Sequence, residues 1–405
     1  MDKFEMAARA PLFFMHIPKT AGMSMRSYLA EQYSARDICP ANTWPEVAAL
    51  CEPPSAYLLV QGHFRYNMRS ALRPGTKAIA VLRNPLLRTL SALRHLKRDP
   101  AFHRDHAVAK HLSLQQILRN PALMAQQRNV QAAALCASAP FKKIVSLLRR
   151  SNDPETEAAK LEMPTTLELA LQRAKQVEFL GTVEHLWLLL HQMSETMGFH
   201  PVADLPLINN AADSKTDLSN LDEEDIELLR TYNDIDLVLY DRCRELIEQR
   251  EFQRLMLTMV SKGIYPRMAG SFTLDLSEPI PGSGWYSPES AEGQVWRWTG
   301  PRPQFTLEIP LQPNGRYLIN MRFSRSRPPA SEGLAVRANG QVLDVHLTQD
   351  GDMFDAKVPL GPELLAEGEG CCRLVFDIGE VSGGVGNDLR PLGVAVSRLD
   401  FERVG

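Results

Sequence analysis

The chain has 405 residues, of which 44% are apolar and 23% are charged, and its formal net charge is −3. This length exceeds that of one ordinary core and predicts two domains, while the composition is that of a globular protein. The small negative charge argues against nucleic acid as the main partner, because a protein that neutralises many phosphates carries a clear basic excess.

The first part of the chain alternates strand and helix signals, which predicts an α/β fold built on a mostly parallel sheet. Polar residues follow the carboxyl end of each predicted strand, where open α/β sheets bind their ligands. After the third strand, Asn84 and Pro85 suit the N-cap and the first turn of a helix. The predicted strands are residues 12–17, 57–60 and 78–82, and helices are predicted over residues 24–33 and 85–98.

The second part of the chain has a different character. From about Ser271, short apolar stretches are separated by Pro, Gly and Asn turn signals, which is the pattern of an all-β sandwich. The boundary is predicted between Leu257 and Gly270, where glycine and proline interrupt a helical pattern. We therefore predict a first domain over residues 1–260 and a β-sandwich accessory domain over residues 271–405.

The strongest local signal is the stretch HIPKTAGMS, residues 16–24, between a predicted strand and a predicted helix. Such a loop presents backbone N–H groups and a helix N-terminus to an anion, and here adds one lysine and two hydroxyl groups. It is a phosphate-type site in outline. It is not a Walker A loop, because the order GxxxxGK[ST] is absent.

A second signal is the stretch VLRNP, followed by Arg88 and Ser91. Arg83 lies at a strand end, and Ser91 lies about two turns into the next helix. A guanidinium fork and a hydroxyl both suit the oxygens of a phosphate, so these two side chains are candidates to bind one phosphate together.

Together the two loops resemble those of the sulfotransferases that use 3′-phosphoadenosine-5′-phosphosulfate (PAPS), particularly the branch of heparan sulfate 2-O-sulfotransferase and its bacterial relatives. HIPKTAG-x-S is similar to that family's 5′-phosphosulfate loop, and RNP-x-x-R-x-x-S to its 3′-phosphate motif. Weaker similarity extends over roughly the first 250 residues, through the stretches QGHF, RNVQ and FLGTVE and the segment 236–240.

The resemblance implies a P-loop-like sulfotransferase domain and a role for each matched residue. Arg83 and Ser91 would bind the 3′-phosphate of PAPS, and Lys19 would neutralise charge that builds on the leaving phosphate oxygen. The sequence departs from the family's usual pattern at Met23, where a small or hydroxylated residue is common. The 5′-phosphosulfate would be held by Lys19, Thr20, Ala21, Gly22, Met23 and Ser24.

Sulfuryl transfer also needs a base for the proton of the acceptor hydroxyl. His63 follows a predicted strand at the same sheet edge as both phosphate loops, and the family places a catalytic histidine in a comparable Gly-His segment. Imidazole has a suitable pKa for this task. A structural histidine at a strand end is the alternative, and His16 competes for the role of base.

The expected function is therefore transfer of a sulfuryl group from PAPS to a hydroxyl, with a glycan as the expected acceptor and no metal. A nucleotide-dependent phosphoryl transferase is an alternative, although no carboxylate is convincingly placed for Mg²⁺. A catalytically inactive glycan-binding protein is another. Sugar stacking and core packing are equally open for an aromatic cluster in the predicted sandwich, formed by Trp285, Tyr286, Trp296 and Trp298.

The sequence also indicates where the protein works. No run approaches the length needed to cross a bilayer, and the start of the chain lacks the pattern of a signal peptide. The six cysteines are scattered, without CxxC pairs or the spacing of a zinc finger. A cytoplasmic protein with free thiols is the simplest expectation.

Overall fold

The chain forms two compact units, Met1–Arg244 and Glu245–Gly405. Their boundary lies inside a long helix, so it comes earlier in the chain than the change of character that the sequence indicates after Leu257. The computed structural model describes residues 9–98, 105–150, 165–199, 218, 221–264, 266–325, 333–382 and 390–404.

The first unit contains a parallel sheet of four strands in the order β2-β1-β3-β4. All four residues of β1 are buried, as expected for a parallel strand covered on both faces. The strands are β1 (Leu12–Met15), β2 (Leu59–Gly62), β3 (Lys77–Leu82) and β4 (Phe179–Thr182).

Helices follow β1, β3 and β4, as the sequence predicts, whereas β2 and β3 are joined by a segment whose helical part is the 3-10 helix Tyr66–Ala71. The α-helices of the first unit are α1 (Gly22–Gln32), α2 (Trp44–Ala48), α3 (Pro85–Arg98), α4 (His106–Ala109), α5 (Leu114–Leu118), α6 (Pro121–Met124), α7 (Val130–Cys136), α8 (Phe141–Arg150), α9 (Leu167–Lys175), α10 (Leu186–Met197) and α11 (Glu223–Tyr232). The helix α12 (Asp234–Ser261) begins in the first unit and ends in the second.

The core of the first unit fixes the strand ends that matter for function. Leu12 and Phe14 of β1, with Ile79 of β3, pack against Met25 and Leu29 of α1. Burying these apolar side chains is the main favourable term that holds α1 on the sheet. The loop between β1 and α1 is therefore anchored at both of its ends.

The helix α3 begins where the sequence predicts. The side-chain oxygen Oδ1 of Asn84 accepts hydrogen bonds from the backbone N–H groups of Leu86 (3.1 Å) and Leu87 (3.2 Å). These bonds satisfy two of the donors that a helix N-terminus leaves without partners. The prediction that Asn84 caps this helix is confirmed.

The second unit is built on two antiparallel sheets. One has the strand order β11-β10-β14-β8; the other has the order β12-β13-β9-β15-β7-β6, with β5 beside β15. The strands are β5 (Phe272–Thr273), β6 (Trp285–Ala291), β7 (Gln294–Thr299), β8 (Gln304–Pro310), β9 (Tyr317–Arg325), β10 (Ala335–Ala338), β11 (Gln341–Leu343), β12 (His346–Asp350), β13 (Met353–Leu360), β14 (Cys371–Asp377) and β15 (Val394–Arg403), and a short helix, α13 (Pro362–Glu367), precedes β14.

The two sheets share one apolar core. Phe305 of β8 stacks on Phe376 of β14, and both belong to a cluster that also contains Phe323 of β9 and Phe401 of β15. The alternation of buried and less buried residues along β9 is that of a strand with one face on a core. The predicted antiparallel β region is therefore present.

The end of α12 packs within the second unit. Its residues Phe252 and Met256 form a small apolar cluster with Cys371. All six cysteines of the chain are free, and Cys51 is exposed while the other five are buried. Within the ranges described above, no helix is both long and apolar enough to cross a membrane.

Candidate functional site

The candidate site lies along the carboxyl edge of the parallel sheet. Each of the four strands is followed by a polar residue: His63 after β2, His16 after β1, Arg83 after β3 and Glu184 shortly after β4. Because the strand order is β2-β1-β3-β4, these residues follow one another across the sheet in that same order. The three strand ends highlighted by the sequence are thus neighbours.

The loop between β1 and α1 has an unusual backbone. Lys19 and Ala21 have positive φ angles of 71° and 60°, in the left-handed region that most L-residues avoid. The buried hydroxyl of Thr20 donates a hydrogen bond to the carbonyl of Ile17 (2.9 Å). The Thr20 hydroxyl therefore braces the loop in this structure and is not turned outwards. Ser24 is also buried, whereas Met23 is exposed.

The start of α1 has N–H groups that could face an anion, as the sequence predicts for this loop. Gly22, Met23 and Ser24 form its first turn, and the N–H groups of a first turn have no acceptor within their own helix. These groups and the helix dipole together favour a negative charge at this end. The half-buried Lys19 adds a cation to the same loop.

His16 fills the space behind this loop. Its imidazole is buried and lies so close to Gly22 that a Cβ atom built on the glycine would be 1.7 Å from Nε2. Burial, followed by the charges of His63, Arg26 and Lys19, lowers the pKa of His16 to about 3. His16 is therefore neutral at neutral pH, and its buried Nδ1 has no hydrogen-bond partner among the residues that the structure describes.

His63 stacks on His16, with 4.3 Å between the ring centroids. Its backbone N–H donates to the carbonyl of Asn42 (2.7 Å), which fixes the residue at the end of β2. His63 is exposed to solvent, although nearby protein atoms desolvate part of its ring.

The surroundings of His63 keep its ring neutral. Desolvation and then the charge of Arg26 lower the pKa of His63, while a hydrogen bond to the backbone of His16 raises it by a smaller amount. A neutral imidazole that solvent can reach is able to accept a proton. Of the two histidines, His63 thus has the accessibility that a base needs.

Arg83 connects the two loops that the sequence singles out. Its Nη1 donates to the carbonyl oxygen of Lys19 (3.2 Å). The side chain of Gln131 holds the backbone of Arg83 from behind: Oε1 accepts from the Arg83 N–H (2.8 Å) and Nε2 donates to the Arg83 carbonyl (2.9 Å). Desolvation lowers the pKa of Arg83, and the carboxylate of Glu184 opposes this shift.

Ser91 and Arg88 are placed differently from each other. Ser91 is half-buried two turns into α3, and among the described residues its side chain forms no hydrogen bond, to Arg83 or to any other group. Arg88 is fully buried: its Nη2 donates to Thr89 Oγ1 (2.8 Å) and to the carbonyl of Gln127 (3.2 Å). Arg88 is thus part of the core of the unit.

A buried polar network behind Arg83 is formed by residues of the RNVQ stretch and of the segment 236–240, for which the sequence predicts no contacts. Asp236 accepts hydrogen bonds from the backbone N–H groups of Gln131 (3.0 Å) and Ala132 (2.7 Å). Asn129, with a positive φ of 45°, accepts from the N–H of Asp236 (3.1 Å). The RNVQ stretch therefore acts by positioning Gln131 against Arg83. The available signal was a polar Asn-x-Gln at the start of a helix, with Asn129 at the N-cap and Gln131 in the first turn.

Sequence reasoning missed Arg26 and Asn42. Arg26 lies one helical turn after Gly22, and its Nη2 donates a hydrogen bond to Oδ1 of Asn42 (2.5 Å). Asn42 in turn approaches Gly62 so closely that a Cβ on the glycine would be 2.4 Å from the Asn42 carbonyl oxygen. The spacing of four residues from Gly22 was the signal for Arg26, because it puts both residues on one helix face.

Glu184 completes the row beyond β4. Its Oε1 accepts a hydrogen bond from the backbone N–H of Asn84 (3.1 Å). Burial and a hydrogen bond to Glu184 raise the pKa of Tyr240. In the part of the chain that the structure describes, no three His, Cys, Asp or Glu side chains form a group that could bind a metal ion.

The aromatic cluster of the second unit divides between two faces. Trp285 packs edge-on against Phe305 of the core and donates through Nε1 to the carbonyl of Thr306 (2.8 Å). Trp296 and Trp298 alternate along β7 with inward-facing Arg297, so they lie on the outer face of the sheet. All three tryptophans are half-buried, but Trp285 packs against the apolar core, whereas Trp296 and Trp298 lie on the outer face.

The outer face also carries an Arg390 side chain. Its guanidinium lies 5.0 Å from the ring centroid of Tyr286 and forms an ion pair with Glu289 (2.7 Å). Glu289 is paired with Trp296 in the register of β6 and β7. This face of the sheet thus combines aromatic rings with charged hydrogen-bonding groups.

Comparison with known proteins gives one structural likeness to report. No family model matches the chain, and no curated protein matches it. The chain is similar to the native structure of a family 35 carbohydrate binding module from Clostridium thermocellum, with 12% sequence identity and a TM-score of 0.22, over 33% of this chain and 97% of that module. A likeness at this TM-score carries no argument about fold or function.

Proposed function

We propose that this protein is a sulfotransferase that moves a sulfuryl group from PAPS to an acceptor hydroxyl. The observation that carries the proposal is the row of His63, the Lys19 loop and Arg83 on three adjacent strand ends, with Arg83 donating to the carbonyl of Lys19. In this proposal one nucleotide contacts both the Lys19 loop and Arg83, and His63 lies beside them as the candidate base.

The donor would be bound by both loops. Backbone N–H groups from Thr20 to Ser24 would hold the 5′-phosphosulfate, and Lys19 would stabilise the charge that develops on the leaving oxygen. Arg83 would bind the 3′-phosphate through its guanidinium fork, with Ser91 as a weaker partner.

The reaction is an in-line displacement at sulfur. The bond from sulfur to the bridging phosphate oxygen breaks, that oxygen keeps the electron pair, and the acceptor oxygen forms the new bond to sulfur. The acceptor proton passes to His63 as this bond forms. His16 is a weaker candidate for the base, because it is buried and its pKa is about 3.

A glycan is the proposed acceptor, and the second unit is its proposed recognition module. The half-exposed Trp296 and Trp298 support this, because sugar rings stack on the apolar faces of aromatic side chains. In this proposal every group that handles the sulfuryl donor belongs to the first unit, and the second unit contributes affinity for a large acceptor.

The experiment that tests the function is transfer of radiolabel from PAPS. A panel of hydroxyl acceptors, from simple alcohols to glycans, is incubated with the protein and with [³⁵S]PAPS, and ATP labelled in the γ-phosphate is the control donor. We expect label from PAPS in at least one product, unaffected by EDTA. Transfer from ATP that EDTA abolishes would instead identify a metal-dependent phosphoryl transferase. Glycan binding without transfer from either donor would identify a binding protein.

A further inference from the structure

Arg26 is a cation at the candidate site, and the roles proposed above for the two phosphate loops do not include it. It lies on α1, four residues after Gly22, and is half-buried. Side chains four residues apart on a helix are neighbours on one face, and they lean towards the N-terminus of the helix. The face that carries Arg26 is therefore the one on which Gly22 meets the ring of His16.

The contacts of Arg26 place it on the His63 side of the loop. Its Nη2 bonds to the side chain of Asn42, and the backbone carbonyl of Asn42 accepts from the N–H of His63. Its charge also lowers the pKa of both His16 and His63, as a nearby cation does. Arg26 thus lies between the loop that would hold the donor and the residue that would receive the proton.

The hydrogen-bonding capacity of Arg26 is only partly used. Nη2 is bonded to a neutral amide, and within the described part of the chain the buried Nε has no hydrogen-bond partner. The carboxylate that acts on Arg26 is Glu46, which is exposed and accepts a hydrogen bond from the backbone N–H of Asn42 (2.6 Å). A half-buried guanidinium with an unpaired N–H is costly unless an anion binds to it.

The group that travels between these two places is the sulfuryl group itself. In the proposed reaction its sulfur starts at the phosphosulfate in the Lys19 loop and ends on the oxygen that His63 deprotonates. Its three outer oxygens carry negative charge throughout the transfer. A cation between the loop and His63 is in the position to bind those oxygens.

We infer that Arg26, held by Asn42, is a catalytic residue that binds the outer oxygens of the sulfuryl group during its transfer from PAPS to the acceptor. The inference rests on the proposed function. Arg26 donates N–H groups and takes up no proton, so the bond that breaks, the bond that forms and the proton that moves to His63 are those given above. Lys19 and Arg26 then have different roles. Lys19 stabilises the charge on the leaving oxygen, and Arg26 binds the transferred group.

The test compares two nucleotides that differ only in this group. PAPS carries the sulfuryl group, and 3′-phosphoadenosine 5′-phosphate (PAP) does not. Affinities of the full-length protein for both are measured by calorimetry for the wild type, Arg26→Gln, Arg26→Lys and the control Arg36→Gln, which changes an exposed arginine close by in the chain. Turnover is measured for the same proteins with a neutral and an acidic acceptor.

We expect Arg26→Gln to weaken PAPS binding about 10-fold while PAP binding changes less than about 2-fold, and to lower kcat by about 10² to 10³ with both acceptors. Arg26→Lys should recover part of kcat, because it keeps the charge but loses the fork that bonds Asn42. Arg36→Gln should behave as the wild type. Unchanged PAP affinity also shows that the variant retains its folded donor site.

Three results would overturn the inference. Equal losses of affinity for PAPS and PAP would make Arg26 a structural or general phosphate-binding residue. A rise in KM confined to the acidic acceptor would make it an acceptor-binding residue. If the wild type bound neither nucleotide, the proposed function would fall and this inference with it, which is a different outcome from a change seen only in the Arg26 variants.

Discussion

Gly22 and His16 are in direct contact, and the imidazole of His16 occupies the position that a side chain at residue 22 would need. A Cβ built on Gly22 would be 1.7 Å from Nε2 and 1.8 Å from Cδ2 of that ring. His16 cannot move away easily, because its side chain is buried and its ring stacks on the ring of His63. The close approach of the helix start to the strand end therefore depends on a glycine.

This contact predicts a coupled pair of substitutions. Gly22→Ala forces an overlap in a packed region and should reduce the free energy of unfolding of the first unit by about 1–3 kcal/mol. In a His16→Ala background the same change should cost much less, because the ring that clashes is gone. Urea unfolding, followed by hydrogen exchange in peptides from β1 and β3, measures the double-mutant cycle for this unit alone. Additive losses would show that the two residues do not compete for space.

The sequence predicts the positions of the loops, but not the contacts behind them. Strands of four to six residues ended by Pro, Gly or Asn are local signals, so β1, β3 and the start of α3 could be predicted. The pairing of Gln131 with Arg83 joins residues 48 apart, and no local rule gives it. The inward turn of the Thr20 hydroxyl likewise depends on the left-handed backbone on both sides of it.

His16 and His63 show the same limit of prediction from the sequence. Both follow strands, and the sequence leaves both as candidates for the base. Burial distinguishes the two side chains. Whether a polar residue at a strand end is buried depends on which other residues of the fold cover it. His16 is covered by Gly22 and His63, whereas His63 keeps an open side.

His63→Ala should lower kcat by about 10² to 10⁴, with little effect on the affinity for PAP, if His63 takes the acceptor proton. The same substitution with near-normal turnover would make another residue the base, with His16 and Glu184 first to be tested. His191→Ala, at an exposed position on α10, is the matched control and should leave kcat unchanged.

The pH dependence of kcat/KM should reflect the lowered pKa of His63. A base works in its neutral form, so the rate should be constant above this pKa and should fall as pH decreases through it. Since desolvation and Arg26 both lower the value, the fall should lie below pH 6.5, the unperturbed value. Arg26→Gln should move the midpoint of this fall to higher pH, because the substitution removes one of the two causes of the lowered pKa. A midpoint above 6.5 in the wild type would assign the acid limb to another group.

Arg83 should make the protein bind PAP more tightly than AMP, which differs from PAP only in lacking the 3′-phosphate. Loss of a hydrogen bond to a charged group costs about 1.5–3 kcal/mol, so Arg83→Gln should weaken PAP binding about 10- to 150-fold and leave AMP binding nearly unchanged. Ser91→Ala should have a smaller effect of about 2- to 10-fold, that of a neutral hydrogen bond. Calorimetry measures the affinities of the wild type, Arg83→Gln and Ser91→Ala for both nucleotides. If the wild type binds PAP and AMP equally, neither residue recognises a 3′-phosphate.

His16 should make the first unit sensitive to acid. Its pKa is about 3 in the folded protein against 6.5 when it is unfolded, so between these values the unfolded chain binds one proton more. Stability therefore falls as pH decreases below 6.5, by up to about 1.4 kcal/mol per pH unit from this one group. His16→Phe removes the titration, so the wild type should lose about 2 kcal/mol more than this variant between pH 7 and pH 5. Parallel losses in the two proteins would mean that His16 is protonated in the folded state.

The aromatic residues of the second unit should separate into two classes. Trp285 packs on Phe305 and donates to the carbonyl of Thr306, so Trp285→Ala should reduce stability, by somewhat less than the ~3–5 kcal/mol of a fully buried tryptophan because Trp285 is half-buried. Trp296 and Trp298 lie on the outer face and are not among the described residues that pack against the core cluster of Phe305, so their replacement by Ala should cost less. If the proposed glycan recognition is correct, Trp296→Ala and Trp298→Ala should raise KM for a polymeric acceptor several-fold without changing KM for a monosaccharide. Thermal melts and initial rates with the two acceptors measure both effects. An unchanged KM for the polymer in both variants would remove this face from acceptor binding and leave it a surface of the β-sandwich.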